Sequence, residues 1–118
     1  MKHNQKNKGL AAEAAAVAFL KQQGLILLTQ NYSCRFGEID LIMRDKRTLV
    51  FVEVRLRSNP HFTSAAESIH HFKQQKLIRA AQHYLQTHDP NAPCRFDVVL
   101  FQDAQMGTPN WIRNAIDT

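Results

Sequence analysis

The sequence predicts a single α/β domain in which helices pack against a mixed sheet. The chain has 118 residues, which is enough for one hydrophobic core and too few for two. Its hydrophobic content of 44% is typical of a globular protein. Helical and strand patterns follow one another in the order α-β-β-β-α-β-β, with no internal repeat or linker between them, and this order favours helices lying on a sheet.

The N-terminal part contains a basic segment and then an alanine-rich one. Residues 1–8 are polar and basic, and we expect them to be flexible, with one domain over residues 9–118. The first helix is predicted over residues 9–23, because alanine favours helix, and Gly24 is placed to end it. Glu13 is predicted on the apolar face of this helix, which we expect to carry Leu10, Val17 and Leu20.

The rest of the chain reads as strands on either side of one long helix. Predicted strands cover residues 25–32, 38–44 and 48–57, and the helix covers residues 64–88. Two further strands are predicted over residues 95–101 and 111–116. The apolar stripe predicted for the long helix consists of Ile69, Phe72, Leu77, Ala80, Ala81, Tyr84 and Leu85.

The hairpin over residues 38–57 carries acids that a buried strand pair would not be expected to contain. Side chains alternate along a strand, so Glu53 and Arg55 point to one face. If Lys46 and Arg47 are the central residues of the turn, Asp40 lies opposite Glu53. A shift of one residue would place these two acids on different faces. The hypothesis of an acidic site therefore depends on this register.

Opposed carboxylates repel each other unless a cation lies between them. Mg²⁺ and Mn²⁺ favour oxygen ligands, which Asp40, Glu53 and the Val54 carbonyl could supply, and Arg55 could stabilise charge on a phosphate. The alternative is a ladder of salt bridges on a solvated sheet face. Leu49 and Phe51 argue against that alternative, because they make the strand face that carries Glu53 partly apolar.

At these residues the sequence resembles the restriction-endonuclease-like nucleases, whose pattern is D-x(n)-E-x-K. It is more closely similar to the YraN family of small bacterial proteins, which are distantly similar to archaeal Holliday junction resolvases. The matching segments are GLAAE (9–13), NY (31–32), GEIDLI (37–42), LVFVEVR (49–55), the helix over 69–85 and RFDVV (95–99).

The resemblance implies a restriction-endonuclease-like αβββαβ core. It also implies that Asp40 and Glu53 are ligands of a catalytic Mg²⁺ or Mn²⁺, and that Glu13 reaches the same metal. The nuclease pattern has lysine at the position of Arg55. Because arginine stays protonated, it can stabilise charge here but cannot act as a base.

The balance of charged residues is compatible with a nucleic-acid partner. The chain carries a net charge of +5. Two interpretations of Lys73, Lys76, Arg79 and His83 stay open: a stripe on one helix face that contacts the DNA backbone, or the solvated face of an amphipathic helix. The expected substrates are branched or single-strand-containing DNA. Two alternatives remain: a non-catalytic nucleic-acid-binding module with a vestigial site, and a protein-interaction domain. A homodimer is compatible with any of the three.

The sequence points to a cytoplasmic protein without a membrane segment. No apolar run approaches the roughly 18 residues that a spanning helix needs. The basic start followed by an apolar stretch imitates a signal peptide, but Glu13 interrupts the apolar stretch. Cys34 and Cys94 are isolated, and we expect both thiols to be reduced.

Overall fold

A computed structural model describes residues 2–56, 71–102 and 107–116, with side chains described from residue 9 in the first range and from residue 73 in the second. In chain order the elements are α1 (Lys2–Gln22), β1 (Ile26–Cys34), β2 (Gly37–Asp45), β3 (Thr48–Leu56), α2 (His71–His88), β4 (Cys94–Phe101) and β5 (Asn110–Ile112). The predicted order of helices and strands is confirmed. Among the described residues, no helix is both long and apolar enough to cross a bilayer.

The strands form one mixed sheet in the order β1-β2-β3-β4-β5. The first three strands are antiparallel neighbours, β4 lies parallel to β3, and β5 returns antiparallel to β4. A parallel pair needs a crossover connection, and the connection from β3 to β4 contains α2. The predicted α/β class with a mixed sheet is therefore confirmed.

The two helices cover opposite faces of the sheet, which gives two hydrophobic clusters. One cluster joins α1 to the sheet and the other joins α2 to it. The α2 side chains buried in their cluster are Leu77, Ala80, Ala81 and Tyr84, as the apolar stripe predicts. Ile69 of that predicted stripe lies outside the described residues, as does the side chain of Phe72. Because β3 and β4 are covered on both faces, their residues are buried almost continuously.

The first helix differs from the prediction at its start and in its buried face. It begins at Lys2 rather than at residue 9, since the lysine-rich start contains no proline to prevent a helix. Its buried side chains are Ala12, Ala16 and Leu20, whereas Leu10 is 46% exposed. The small alanine side chains allow the helix to lie close to the sheet. The face that packs on the sheet is therefore the alanine face, and it differs from the face predicted from the large apolar residues.

The last strand is also shorter than predicted. β5 ends at Ile112 rather than at residue 116, because Asn114 adopts a left-handed conformation with φ of 52°. The backbone N–H of Asn114 donates to Asp97 Oδ1 at 2.9 Å, so a side chain of β4 holds this turn in place of strand pairing. The predicted Arg57 end of the third strand, the loop after it and the beginning of the second predicted helix lie outside the described residues.

Candidate functional site

The β2–β3 hairpin has the register that an acidic site requires. The paired residues run from Asp45 opposite Thr48 to Leu41 opposite Val52. Lys46 has φ of 58°, and a positive φ at the first central position suits a two-residue turn between twisted strands. Local turn geometry thus fixes which side chains meet at the far end of the hairpin.

One residue beyond the pair of Leu41 and Val52, the same register brings Asp40 opposite Glu53. The backbone N–H of Val54 donates to Asp40 Oδ2 at 2.9 Å, so the carboxylate of Asp40 is held against β3. Glu53 is 3% exposed and Asp40 is half-buried. The hairpin therefore ends in two adjacent carboxyl groups with little access to water.

This arrangement makes the ionised form of Asp40 unfavourable. Burial, followed by repulsion from Glu53, raises the pKa of Asp40 to about 7, against an ordinary value of 3.8. The hydrogen bond from Val54 and the charge of Lys73 act in the opposite direction, but they do not compensate. A cation beside the pair would favour the ionised form of Asp40.

Two basic side chains reach Glu53 from different elements. Lys73 Nζ on α2 lies 2.5 Å from Glu53 Oε2, and Arg55 Nη1 on β3 lies 3.5 Å from the same oxygen. The shorter contact is with Lys73, although the sequence assigned that residue only to the helix surface. Because the strand and the helix are separate in sequence, no local pattern indicates this contact.

Glu13 approaches the same region from α1. Its carboxylate hydrogen-bonds to the side chain of Asn31, and burial, followed by repulsion from Asp40 and then from Glu38, raises its pKa. Its Oε1 atom is buried without a hydrogen-bond partner among the described residues. The charge of Glu13 is thus felt at Asp40. Over the described part of the chain, however, no three His, Cys, Asp or Glu residues are arranged as ligands of one metal ion.

A pocket of about 260 Å³ opens beside the acids. Its walls are Gly37, Glu38, Asp40, Glu53, Lys73, Lys76 and Leu77. Of the predicted site residues, the structure therefore brings four to one cavity, two acids and two lysines. Arg79 lines a neighbouring pocket instead, while Arg55 contacts Glu53 on the wall of this one.

Gly37 determines how closely β2 approaches α2 at this pocket. Its φ is 155°, which other residues rarely adopt, and a Cβ atom there would lie 3.3 Å from Lys76 Cβ. The glycine thus allows the strand to begin directly against the helix. Gly37 begins the GEIDLI motif, and the close approach of β2 to α2 is a physical reason for a glycine at this position.

Two aromatic residues that could stack on bases are used within the fold. Tyr32 packs edge-on against Tyr84, with ring centroids 5.3 Å apart, and its hydroxyl hydrogen-bonds to His83. Trp111 packs edge-on against Phe19 and donates to Asp97. Packing and hydrogen bonding within the fold therefore explain both aromatic residues without a bound base.

Fold and site together define an α/β domain with a nuclease-like core and a pair of acids at the end of its central hairpin. The chain belongs to uncharacterised protein family UPF0102, whose model matches residues 12–101. The resemblance to the YraN proteins, which are members of this family, is confirmed.

The relatives match over nearly their whole length. A UPF0102 protein of Nitrosomonas europaea is 58% identical over 94% of each chain. Another, from Psychromonas ingrahamii, is 51% identical over 92% of this chain and 88% of the relative. A third, from Saccharophagus degradans, is 50% identical over 97% of this chain and 94% of the relative. These names give the family and leave the activity open.

Proposed function

We propose that this protein is a metal-dependent nuclease that hydrolyses phosphodiesters in branched or single-strand-containing DNA. The observation that carries the proposal is the pair formed by Asp40 and Glu53, which is buried, mutually repulsive and bordered by basic side chains. A buried structural acid is normally neutralised by its partners. The pKa of Asp40 stays raised even beside Lys73, so a further cation would stabilise this pair.

The donor atoms fit Mg²⁺ or Mn²⁺. Both ions favour carboxylate and carbonyl oxygens, and Asp40 and Glu53 would hold the metal, with Glu13 and the Val54 carbonyl as further oxygen donors. The buried Glu13 Oε1 without a hydrogen-bond partner supports this fit. A bound divalent ion would supply polarisation of the phosphate and a lower pKa for an attacking water.

The cationic residues would handle the substrate. Lys73 and Arg55 lie beside Glu53, where they would stabilise the negative charge that develops on the phosphate. Arginine side chains act as hydrogen-bond donors, so the role of Arg55 would be to bind phosphate oxygens rather than to accept a proton. Lys76, on the wall of the same pocket, and Arg79, on the same helix, would bind the adjoining backbone. The net charge of +5 favours association with DNA.

A non-catalytic DNA-binding module is the second candidate. Two observations favour it: Arg55 replaces the lysine of the nuclease pattern, and no three-acid metal site is formed within the described residues. Such a module would bind DNA through the same basic residues. Its binding would be independent of metal and would weaken with salt.

The test is cleavage of end-labelled four-way junction, flap, single-stranded and duplex DNA in Mg²⁺ and in Mn²⁺. We expect metal-dependent cutting that is lost in Asp40→Asn. Asp45→Asn is the matched control, because Asp45 lies on the same strand but at the turn end of the hairpin, away from Glu53. We expect that variant to cut like the wild type.

A thermal shift separates the two candidates further. For a nuclease site, Mg²⁺ or Mn²⁺ raises the melting temperature of the wild type at pH 8 and leaves that of Asp40→Asn unchanged, since only a folded site binds the ion. DNA binding with neither cleavage nor a metal-dependent shift would reject the nuclease and favour the binding module.

A further inference from the structure

A second pocket, of about 470 Å³, lies beside the acidic one. It is lined by Arg35, Phe36, Gln75, Lys76 and Arg79. Lys76 belongs to both pockets, so the two cavities share a wall. The first two lining residues form the turn between β1 and β2, and the other three lie on α2.

We propose that this second pocket binds an unpaired nucleobase of the DNA strand, with the base stacked on Phe36 and the flanking phosphates held by Lys76 and Arg79. The inference rests on the proposed function for the identity of the polymer. It adds which part of the substrate is recognised, and by which residues.

The Phe36 ring contacts one side chain that is held in place and one that is exposed to solvent. His83 packs against the ring with centroids 6.0 Å apart, and His83 is itself held by a hydrogen bond to the Tyr32 hydroxyl. Over the ring, the Arg35 guanidinium lies 4.7 Å from the centroid. A guanidinium is flat and stacks on aromatic faces, so Arg35 occupies a place that suits a base.

Arg35 can give up this place with little loss. Its side chain is exposed, and cation–π contacts at exposed positions are weak. Once displaced, the guanidinium remains close enough to stack on the outer face of the base or to pair with a phosphate. An aromatic ring with an exposed arginine above it is thus suited to bind a flat base that is attached to a negatively charged backbone.

The charges around the pocket select a nucleotide over an apolar ligand. Among the described residues, its lining contains Arg35, Lys76 and Arg79 and no acid. The side chain of Gln75 can both donate and accept hydrogen bonds, as the edge of a base requires. The lining therefore provides an aromatic surface, a polar side chain and cations for phosphates.

The backbone holds the two pockets together. Because Gly37 brings the start of β2 against Lys76, the Arg35–Phe36 turn is fixed to the same helix that carries Lys73. A strand bound by the turn would then run past the acids. A paired base is covered by its neighbours in the duplex, so stacking on Phe36 requires an unpaired base.

The experiment compares the binding of two fluorescent strands to the full chain in EDTA, by anisotropy. One strand is a short oligothymidylate and the other is an abasic backbone of equal length. We expect the wild type to prefer the strand with bases by at least about fivefold, as stacking on one aromatic residue provides. Phe36→Leu should bind both strands equally, and Phe36→Trp should keep the preference.

Lys76→Gln provides the matched comparison, because the loss of a phosphate contact should weaken the binding of both strands by the same factor. Equal binding of the two strands by the wild type, or a preference that survives in a folded Phe36→Leu, would overturn the base pocket. Thermal unfolding establishes that each variant is folded. Failure to bind either strand would overturn the base pocket as well.

The outcomes of the two proposals are separable. Cleavage that depends on Asp40, with no preference for bases, would retain the nuclease and reject the base pocket. A preference for bases that depends on Phe36, without cleavage, would retain the pocket and reject the nuclease.

Discussion

Two buried acidic regions lie on adjacent strands of this sheet, and they differ in how their charge is neutralised. Asp97 on β4 is fully buried and accepts hydrogen bonds on both carboxylate oxygens. Arg95 Nε lies 3.0 and 3.2 Å from these oxygens, Trp111 Nε1 donates at 3.0 Å and the Asn114 N–H at 2.9 Å. This acid ties β5 and the turn after it to the centre of the sheet.

The region around Asp40 has the opposite character. Asp40 accepts one backbone hydrogen bond, faces Glu53 and is close enough to Glu13 for the two charges to repel. Lys73 and Arg55 contact Glu53, but these two side chains are 44% and 28% exposed. The negative charge here is therefore only partly compensated by groups that water can reach.

Burial alone thus does not distinguish a structural acid from a functional one. The fully paired oxygens of Asp97 leave no capacity for a ligand, and the pairing explains why the acid is there. The repulsion at Asp40 costs stability, which a protein can tolerate where a bound cation removes it. Removing the charge of Asp97 should therefore destabilise the fold, whereas removing the charge of Asp40 should not.

The largest expected effect is the loss of stability in Asp97→Asn. This change removes the negative charge that faces the partly buried Arg95, and it replaces an acceptor by a donor near Trp111 and Asn114. Breaking such a buried pair costs about 3–5 kcal/mol in the free energy of unfolding. Urea denaturation at neutral pH measures it.

The same chemical change at Asp40 serves as the comparison. Asp40→Asn removes a repulsion and keeps an oxygen that can accept from Val54, so we expect unfolding at neutral pH to be as difficult as in the wild type, or more so. If both variants lost the same stability, the distinction between the two regions would be wrong.

The second prediction concerns pH. Because the pKa of Asp40 is raised to about 7 in the folded chain, the folded state holds the proton more tightly than the unfolded one. Wild-type stability should therefore fall relative to Asp40→Asn as the pH rises from about 4 to about 7, by on the order of 2–4 kcal/mol, and stay level above that.

Denaturation curves of the two proteins across this pH range provide the measurement. A stability difference that did not change with pH, or one that shrank as the pH rose, would contradict the raised pKa. Asp89→Asn, which removes an exposed acid at the end of α2, controls for the general effect of removing an acid.

The smallest effect concerns the backbone beside the acidic pocket. Gly37→Ala should cost about 1–3 kcal/mol, because φ of 155° is unfavourable for alanine and the new Cβ would press on Lys76. Gly24→Ala is the matched control: its φ of 97° is also unfavourable, but no atom of the described part of the chain lies within 4 Å of the new Cβ.

The difference between the two alanine variants in urea denaturation isolates the contact with α2. If Gly37→Ala cost no more than Gly24→Ala, the close approach of β2 to the helix would not be a constraint. The acidic pocket would then tolerate a looser strand start.

Much of the fold and half of the site could be predicted because they depend on local signals. Strand alternation and a two-residue turn place Asp40 opposite Glu53, and both features are encoded within the hairpin. The shifted face of α1 was missed because alanines give a weak periodic signal, although they allow the closest packing. The shorter β5 was missed because it ends through a hydrogen bond to the distant Asp97.

The sequence by itself determined the order of the elements, the register of the central hairpin and the pairing of its two acids, since each follows from residues near one another in the chain. Tertiary structure alone decided that Lys73 reaches Glu53 and that Asp97 is fully paired. It also placed Phe36 beside Lys76. These contacts join elements distant in sequence, and their geometry is set by the packing of α2 and β5 on the sheet.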